Sequence, residues 1–375
     1  MASEQSAPRV NVHGLSKAEL CAFMESLDER GYRGAQIYHA LYAERKFDFA
    51  AMTNLPAALR EKLARQATIA LPRIVRRHLS SDGTVRYVLA LDSSGAGRAG
   101  SGREIQPANV EAVFMPEENR QTICISTQAG CAVNCQFCLT ATLGLVRNLT
   151  AGEIIGQVLV ALEDNRAGLK PQTNIVLMGQ GEPLLNYDAV ISALRILLDQ
   201  NAVAIAPRHA ALSTSGIVPG IERLAREKIR PNLAISLNAS SNEQRDQIMP
   251  INRKYPLEKL LEACRNYPLR PREWLLFEYV LLGGFNDSPE DARRVARLLS
   301  GIRAKVNLIP WNPGALPFDR PNRTRVEEFQ RILIEKGVMT FIRDSRGQDV
   351  MAACGQLALA EEAASPQIAQ AEQHV

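Results

Sequence analysis

The sequence has no apolar run long enough to span a lipid bilayer, and its first residues, MASEQSAPRVNVHG, hold no apolar block of the kind found in secretion signals. Neither sign of charge predominates, since the formal net charge of the 375 residues is only +4. We therefore expect a cytoplasmic protein with no membrane partner.

Histidine is scarce, and the few present are not paired at spacings typical of metal ligands: His13, His39, His78, His209 and His374. The seven cysteines are an odd number, and four of them lie within fifteen residues. Clustered cysteines of this kind argue against a secreted disulfide scaffold and for a metal site.

The hydrophobic content of 46% is enough for a large core, and we expect one large domain with one or two small ones. Ser16 and Glu19 form a capping-box pattern that predicts a helix start, and Gly31 is expected to end that helix. Two more helical patterns follow, near 35–44 and 56–66. We predict a small N-terminal helical domain over residues 1–70.

Alternating apolar and polar residues over 73–79 and 85–92 flank Ser-Asp-Gly, which predicts a β-hairpin. Residues 93–107 are rich in Gly and Ser and predict a flexible surface loop. Another strand is expected over Val110–Met115. Residues 71–118 are thus interpreted as a hairpin and linker region.

From Gln121 onward, seven strand-like runs, the first over residues 122–126, alternate with helix signals, which include the capping patterns of Thr150 with Glu153 and of Ser288 with Asp291. This alternation predicts an α/β fold with a parallel sheet, in an open or closed barrel over residues 119–358. Chemistry in such folds gathers at the carboxyl ends of strands. Residues 359–375 are expected to be a disordered tail.

Three cysteines follow the first of these strands, with three and then two residues between them: Cys131, Cys135 and Cys138. Three thiolates from one loop can hold a four-iron cluster and leave one iron open for chemistry. The alternative is half of a structural zinc site, which needs a fourth ligand that the sparse histidines do not supply. Ligand number and softness favour the iron–sulfur cluster.

Further polar strings end successive strands: Gly179-Gln-Gly181-Glu182-Pro183, Leu212-Ser213-Thr214-Ser215-Gly216, Ser236-Leu237-Asn238 and Asn307-Leu-Ile-Pro-Trp-Asn312-Pro. Each string alone is weak, because glycines often serve loop geometry and Ser or Asn often satisfies backbone groups. Because all four strings follow the cysteine trio in order along the chain, loop geometry and backbone hydrogen bonding do not account for them.

Together with the trio, in which Phe137 precedes Cys138, these strings resemble the radical S-adenosylmethionine (SAM) superfamily. The resemblance implies a partial (β/α)6 barrel, a 4Fe-4S cluster bound by the trio, and SAM. It implies cofactor contacts from Gly181, Glu182, Ser213, Ser236, Leu237, Asn238 and Asn312.

Two further cysteines narrow the resemblance. A lone Cys with apolar neighbours is ordinarily a small core residue, which is how we interpret Cys21 and Cys264. Cys124 and Cys354 instead lie in strings, CISTQAGC and AACGQL, that together with RNLTAGE and GEPLLN resemble the dual-specificity rRNA/tRNA adenine C2-methyltransferase family. The resemblance runs from about Leu15 to Leu357.

This family methylates adenosine 2503 of 23S rRNA and adenosine 37 of some tRNAs, using two SAM molecules per turnover. The resemblance implies that Cys354 first takes a methyl group, whose carbon is then activated by a radical and added to C2. It also implies that Cys124 attacks the Cys354 sulfur, which releases RNA and leaves a disulfide. Glu111 matches the family's proton acceptor.

The expected partners are 23S rRNA, tRNA and an electron donor such as a flavodoxin-type reductant, and we expect a monomer. Residues 1–80 hold twelve Lys or Arg against eight Asp or Glu. The densest basic stretch offers either RNA-backbone contacts or a solvated helix face, and the resemblance favours RNA. Its members are Arg60, Lys62, Arg65, Arg73, Arg76 and Arg77.

Three alternatives remain: a related C8-methylating enzyme, a radical SAM enzyme acting on another substrate, and a non-enzymatic iron–sulfur or zinc RNA-binding protein. The C8-methylating enzyme has the same set of cysteines. The other two kinds of protein would not need all of the motifs found in this sequence. The chain departs from the family pattern at Gln180, where Met is common, and at Asn238, where His is common. Residues 93–107 are interpreted as an insertion.

Overall fold

The computed structural model describes residues 9–91 and 107–359. Residues 93–106 of the predicted Gly/Ser loop and residues 360–375 of the predicted tail lie outside the described part. None of the helices within the described ranges is both long and apolar enough to cross a membrane.

The N-terminal region is a helical unit closed by two short parallel strands. The strands are β1 (Val10–Asn11) and β2 (Ala67–Thr68), and the helices are α1 (Lys17–Ser26), α2 (Tyr32–Tyr42) and α3 (Ala57–Gln66). The capping box of Ser16 and Glu19 is confirmed. Gly31 was wrongly expected to end α1, which stops at Ser26, because Gly31 is the residue from which α2 begins.

The predicted hairpin is confirmed and forms one edge of a larger sheet. Its strands are β3 (Arg73–Leu79) and β4 (Val85–Leu91), and the sheet continues antiparallel through β5 (Ala108–Pro116) and β6 (Arg120–Cys124). Strand β6 stops at Cys124, two residues before the predicted end, and the N–H of Ser126 donates to the side chain of Gln157 instead.

The cysteine loop lies between the two strands of a small antiparallel ribbon, β7 (Gln128–Gly130) and β8 (Leu145–Asn148). Six crossovers then build the parallel part of the sheet. Its strands are β9 (Gln172–Leu177), β10 (Ala210–Thr214), β11 (Asn232–Ser236), β12 (Leu275–Leu281), β13 (Ala304–Pro310) and β14 (Met339–Ile342).

The crossover helices begin with the predicted capping boxes of Thr150 with Glu153 and Ser288 with Asp291, both of which are confirmed. The helices are α4 (Ala151–Asp164), α5 (Tyr187–Leu197), α6 (Val218–Leu224), α7 (Asn242–Ile248), α8 (Leu257–Arg265), α9 (Pro289–Leu298) and α10 (Arg323–Glu335).

The ten strands form one sheet in the order β14-β13-β12-β11-β10-β9-β6-β5-β4-β3. From β6 to β14 all neighbours are parallel, which confirms the partial α/β barrel. Strand β12 reads Leu275-Leu-Phe-Glu-Tyr-Val-Leu, a nearly continuous apolar run typical of a strand covered on both faces. Its one acidic residue, Glu278, therefore stands out.

Candidate active site

A cavity of about 180 Å³ opens at the carboxyl ends of the parallel strands. Its wall contains most of the predicted site residues, contributed by the cysteine loop and by the loops after β9, β10, β11 and β13. Those that line it are Cys131, Cys135, Cys138, Gly181, Glu182, Ser213, Ser236, Asn238, Asn312 and Cys354. The predicted residues Leu237, Cys124 and Glu111 do not line it.

The cysteine loop is held by backbone contacts on several sides. The Cys131 N–H donates to the Gly144 carbonyl (2.9 Å), and the Gln136 N–H donates to the Ile248 carbonyl (2.9 Å). The Trp311 indole donates to the Phe137 carbonyl (3.2 Å). These contacts place all three half-buried thiols of the trio on one wall of the cavity.

Burial raises the pKa of Cys131 to about 11 and that of Cys135 well above its usual value. Thiols in such a setting lose their protons on binding a metal. Among residues 9–91 and 107–359, no three Cys, His, Asp or Glu side chains converge closely enough to hold one metal ion. A four-iron cluster needs no such convergence, because each thiolate binds a different iron.

Glu182 is buried in the wall, where backbone N–H groups hold its carboxylate. Its Oε2 accepts from Ser215 (2.6 Å) and its Oε1 from Leu184 (3.1 Å). Burial raises its pKa, and these hydrogen bonds oppose the rise. The adjacent Gly181 has φ +102° and passes so close to Gln128 that a Cβ would lie 2.6 Å from the Gln128 Cβ.

Ser213 and Ser236 face each other across neighbouring strands, with their hydroxyl oxygens 3.5 Å apart. Leu237 is fully buried and does not line the cavity. Asn238 has φ +55°, a conformation that Asn tolerates well, and its Oδ1 accepts from the Val280 N–H (2.8 Å). Its side chain therefore braces strand β12 as well as lining the cavity.

Asn312 joins the cavity to the segment that contains Cys354. Its Nδ2 donates to the Cys354 carbonyl (3.1 Å), while its buried Oδ1 has no hydrogen-bond partner among the residues that the structure describes. Buried polar atoms without partners are rare, so this oxygen fits a polar ligand in the cavity.

Cys354 lines the cavity, and its surface is exposed to solvent. Burial, followed by the nearby Glu278 carboxylate and the Cys138 sulfur, raises the pKa of Cys354 to about 11. Cys124 lies behind it, packed with Val350, Ala352 and other apolar residues. Burial and then the charge of Cys354 raise the pKa of Cys124. The structure thus brings the two cysteines together.

Glu111 is fully buried and is separated from the cavity wall. Its Oε1 accepts from Arg86 (2.6 Å), and its Oε2 accepts from Gln180 (3.0 Å) and from the Leu359 N–H (2.9 Å). Burial raises its pKa, and the contacts with Leu359 and Arg86 oppose the rise. The predicted proton acceptor is therefore an ion-paired residue next to the end of residues 343–359, the Cys354 segment.

Two family models match the chain: the radical SAM superfamily over residues 125–299 and the ribosomal RNA large subunit methyltransferase N-terminal domain over residues 10–69. The chain is 49% identical over 352 residues to the probable dual-specificity RNA methyltransferase RlmN of Koribacter versatilis, covering 89% of this chain and 97% of that protein. It belongs to the RlmN family of radical SAM RNA methyltransferases.

Other relatives agree with this membership. The dual-specificity RNA methyltransferase RlmN of Rhodospirillum rubrum is 44% identical over 365 residues, covering 95% of this chain and 82% of that protein. The crystal structure of a radical SAM methyltransferase from Sphaerobacter thermophilus superposes with a TM-score of 0.84. That protein is 41% identical, and the match covers 93% of this chain and 99% of that one.

Membership of the RlmN family implies a 4Fe-4S cluster and SAM. The cavity suits both, because the part of its wall formed by residues 9–91 and 107–359 contains the cysteine trio and the carboxyls of Glu182 and Glu278 but no Lys or Arg. SAM has a sulfonium and an amino group, both cationic, that such a wall favours. The buried Oδ1 of Asn312 fits a polar group of the same ligand.

Glu278 lines the cavity but was missed in the sequence. Burial raises its pKa to about 7, and an Asn307 hydrogen bond to Oε1 (3.0 Å) and the charge of Arg343 oppose the rise. The detectable signal was an acidic residue in the middle of an apolar parallel strand. A carboxyl that titrates near neutral pH beside a thiol is suited to proton transfer.

Arg245 was also missed, because a single Arg on a short polar helix resembles a surface residue. It is fully buried behind the cavity wall and donates to the carbonyls of Ser215 (2.7 Å), Ser236 (3.0 Å) and Leu237 (3.0 Å). These carbonyls lie at the ends of β10 and β11. The guanidinium therefore fixes the loops that contain the candidate SAM contacts.

The basic stretch is partly engaged within the protein. Lys62 forms an ion pair with Glu29 (3.2 Å), and Arg77 forms one with Asp164 (2.5 Å). Strand β3 lies at the edge of the sheet and exposes most of its side chains. This edge and helix α3 are both candidate surfaces for RNA.

Proposed function

We propose that this chain methylates C2 of adenosine 2503 in 23S rRNA and of adenosine 37 in some tRNAs, through an S-methylcysteine at Cys354 and with two SAM molecules consumed per turnover. The supporting observation is that Cys354 lies in the same cavity wall as the cysteine trio, with Cys124 close behind it. A simple methyltransferase needs neither sulfur in that place.

The trio of Cys131, Cys135 and Cys138 would bind three irons of the cluster. Glu182, with Gly181 beside it, would face the SAM amino group, and Ser213, Ser236 and Asn312 would contact its other polar groups, flanked by Leu237 and Asn238. When bound, the cluster and SAM supply a methyl group for displacement and a carbon-centred radical. The protein residues position both and keep water away from them.

Adenine C2 is an electron-poor carbon and cannot displace a methyl group from a sulfonium. Cys354 solves this problem as a thiolate, because its sulfur takes the methyl group and becomes a thioether. After one hydrogen atom has been removed from that methyl group, its carbon bonds to C2, and RNA is joined covalently to Cys354.

Release of the RNA requires Cys124. Its thiolate attacks the Cys354 sulfur, the sulfur–carbon bond breaks, and C2 loses its proton while the methylene carbon gains one. The disulfide forms with loss of one electron, for which the bound cluster would be the acceptor, so that the electron used to make the radical is recovered. An external reductant then restores both thiols, and we propose a flavodoxin-type donor and a monomeric enzyme.

Glu111 is our proposed acceptor of the C2 proton. Its contact with Leu359 places it at the end of the Cys354 segment, and this contact and the Arg86 pair must loosen for it to reach the base. Glu278 lines the cavity and is the alternative acceptor. C2 methylation retained in Glu111→Gln would favour Glu278 over Glu111.

The N-terminal helical domain and the exposed edge strand β3 are the proposed RNA contacts. Arg73 and Arg76 are exposed on this edge, and cationic side chains bind phosphates without sequence preference. The target adenosine must be unstacked for its C2 edge to enter the cavity. This requirement favours loop nucleotides.

C8-methylation of the same rRNA adenosine is the second candidate, because the arrangement of Cys354 and Cys124 serves either carbon. The deciding experiment is mass spectrometry of nucleosides from 23S rRNA and tRNA after anaerobic incubation with the reconstituted enzyme. We expect 2-methyladenosine in both RNAs, and none with Cys354→Ala. Only 8-methyladenosine, or no methylated adenosine, would overturn the proposal.

A further inference from the structure

Residues 343–359, the described residues that follow β14, have little regular structure, yet they must place a reactive thiol. This Cys354 segment contains only a short 3-10 turn over Gln348–Val350. An irregular segment keeps a fixed position only where outside contacts hold it. The contacts of this segment therefore decide where the Cys354 sulfur points.

Downstream of the thiol, the segment is bound to the barrel. The Asn312 side chain donates to the Cys354 carbonyl (3.1 Å), and the Leu139 N–H donates to the Gly355 carbonyl (2.8 Å). The Thr140 hydroxyl donates to the Leu357 carbonyl (2.6 Å). These contacts come from the cavity wall and belong to the site already described.

Upstream of the thiol, the segment is bound to the turn between β3 and β4, which we call the hairpin turn (residues 80–84). The Arg346 guanidinium donates to the Asp82 carboxylate (3.1 Å) and to the Asp82 carbonyl (2.7 Å), and the Gly347 N–H donates to the Asp82 carboxylate (3.1 Å). Asp349 accepts from the Ser80 hydroxyl (2.5 Å) and the Ser81 N–H (3.0 Å).

The hairpin turn is built to hold this geometry. The second Asp82 oxygen accepts from the Thr84 N–H (2.8 Å), so the carboxylate is fixed before it meets the segment. Gly347 has φ +62°, and a Cβ there would lie 2.9 Å from the Thr84 Cγ2. Gly347 thus permits a close approach that a larger residue would prevent.

The contacts continue from the hairpin turn to the two cysteines. The Ala352 N–H donates to the Gly347 carbonyl (2.8 Å), which closes a tight turn two residues before Cys354. Val350 and Ala352 in this turn pack against Cys124. Because Cys124 is held in strand β6, the position of Gly347 against the hairpin turn sets where Cys354 lies relative to Cys124.

We propose that the hairpin turn is a positioning element for the reaction, in which Asp82 and Asp349 hold the Cys354 segment so that the Cys354 sulfur faces the cavity with Cys124 behind it. This inference rests on the role proposed for Cys354. It gives the hairpin, which lies outside the barrel, a task beyond extending the sheet.

The test measures the reactivity of the Cys354 thiol in the cluster-loaded full chain. Iodoacetamide labelling, followed by peptide mass spectrometry, gives the alkylation rate of Cys354. We expect Asp82→Ala and Asp349→Ala to raise this rate roughly three- to tenfold, because a loosened segment lets its thiol leave the cavity wall. Asp82→Asn keeps the oxygen that binds Thr84 and should fall between Asp82→Ala and the parent.

The matched control is Asp344→Ala, which removes an exposed carboxylate of the same segment that does not touch the hairpin turn. It should leave the alkylation rate unchanged. A second readout is the Cys124–Cys354 disulfide, which should form several-fold more slowly under a mild oxidant in the Asp82 and Asp349 variants. A purely structural role would lower the melting temperature without changing these two rates.

Parental alkylation and disulfide rates in the double variant Asp82→Ala/Asp349→Ala would overturn the inference. If Asp82→Ala gives no folded protein, Arg346→Gln breaks the same contact from the other side and must show the same increase. RNA methylation by Cys354→Ala would overturn the proposed function instead. An inactive Cys354→Ala with normal alkylation in the Asp82 and Asp349 variants would overturn only the positioning role.

Discussion

Replacement of Arg245 by Met removes a buried charge that fixes three strand-end carbonyls. Each carbonyl left unpaired in the interior costs about 1–3 kcal/mol, so the three together cost about 6 kcal/mol. Replacing the guanidinium also removes the free-energy cost of burying its charge, and this stabilises the variant by several kcal/mol. The difference predicts that the free energy of unfolding falls by about 3 kcal/mol.

The same change should weaken SAM binding. The carbonyls of Ser215, Ser236 and Leu237 lie in the loops that contain the candidate SAM contacts, and these loops lose their common anchor in Arg245→Met. If the displaced loops weaken the free energy of SAM binding by about 1.4 kcal/mol, the Kd for SAM rises tenfold. Arg245→Lys keeps the charge but cannot reach all three carbonyls, so its effects should be intermediate.

Urea unfolding and anaerobic equilibrium dialysis with SAM measure the two effects. The matched control is Arg230→Met, which removes another buried Arg. Arg230 lies just before the start of β11, forms an ion pair with Glu273 and does not line the cavity. It should lower stability and leave the Kd for SAM unchanged. A stability loss below about 1 kcal/mol together with a parental Kd would refute the anchoring role of Arg245.

Cys124→Ala should accumulate a covalent RNA–protein adduct through Cys354, visible as a retarded band on a denaturing gel; normal turnover without the adduct would contradict the role of Cys124. Methyl transfer to Cys354, followed by intact mass, should rise with pH through about 7 as Glu278 loses its proton, and Glu278→Gln should remove that rise. If the rise persists in Glu278→Gln, Glu278 does not accept the thiol proton. Glu111→Gln should stop C2 methylation while leaving methyl transfer to Cys354 intact. Arg86→Met should lower the free energy of unfolding by about 3–5 kcal/mol, because it leaves the buried Glu111 carboxylate without its ion-pair partner. Methylation retained in Glu111→Gln would assign the C2 proton to another residue.

Local sequence patterns were sufficient for much of the fold. The capping boxes at Ser16, Thr150 and Ser288, and the hairpin around Ser-Asp-Gly, depend on residues a few positions apart. The exact ends of the helices and strands were harder to predict from local patterns. Strand β6 stops at Cys124 because of a hydrogen bond from Ser126 to Gln157, more than thirty residues away.

The candidate site divides in the same way. The cysteine trio and the strand-end strings are contiguous motifs, and the structure brings most of them to one cavity. Arg245, Glu278 and the Arg86–Glu111 pair depend on burial, which a single sequence does not reveal for a charged residue. The contact of Asp82 with Arg346 joins residues 264 positions apart, so no local pattern could have predicted it.

The central claim is that a methylene carbon from Cys354, rather than an intact methyl group from SAM, is transferred to adenine C2. Incubation with SAM that contains a trideuterated methyl group, followed by mass spectrometry of the nucleosides, tests it most directly. The account predicts 2-methyladenosine with two deuterium atoms in its methyl group, because one is removed by the radical and one hydrogen comes from solvent. A product that retains all three deuterium atoms would contradict it.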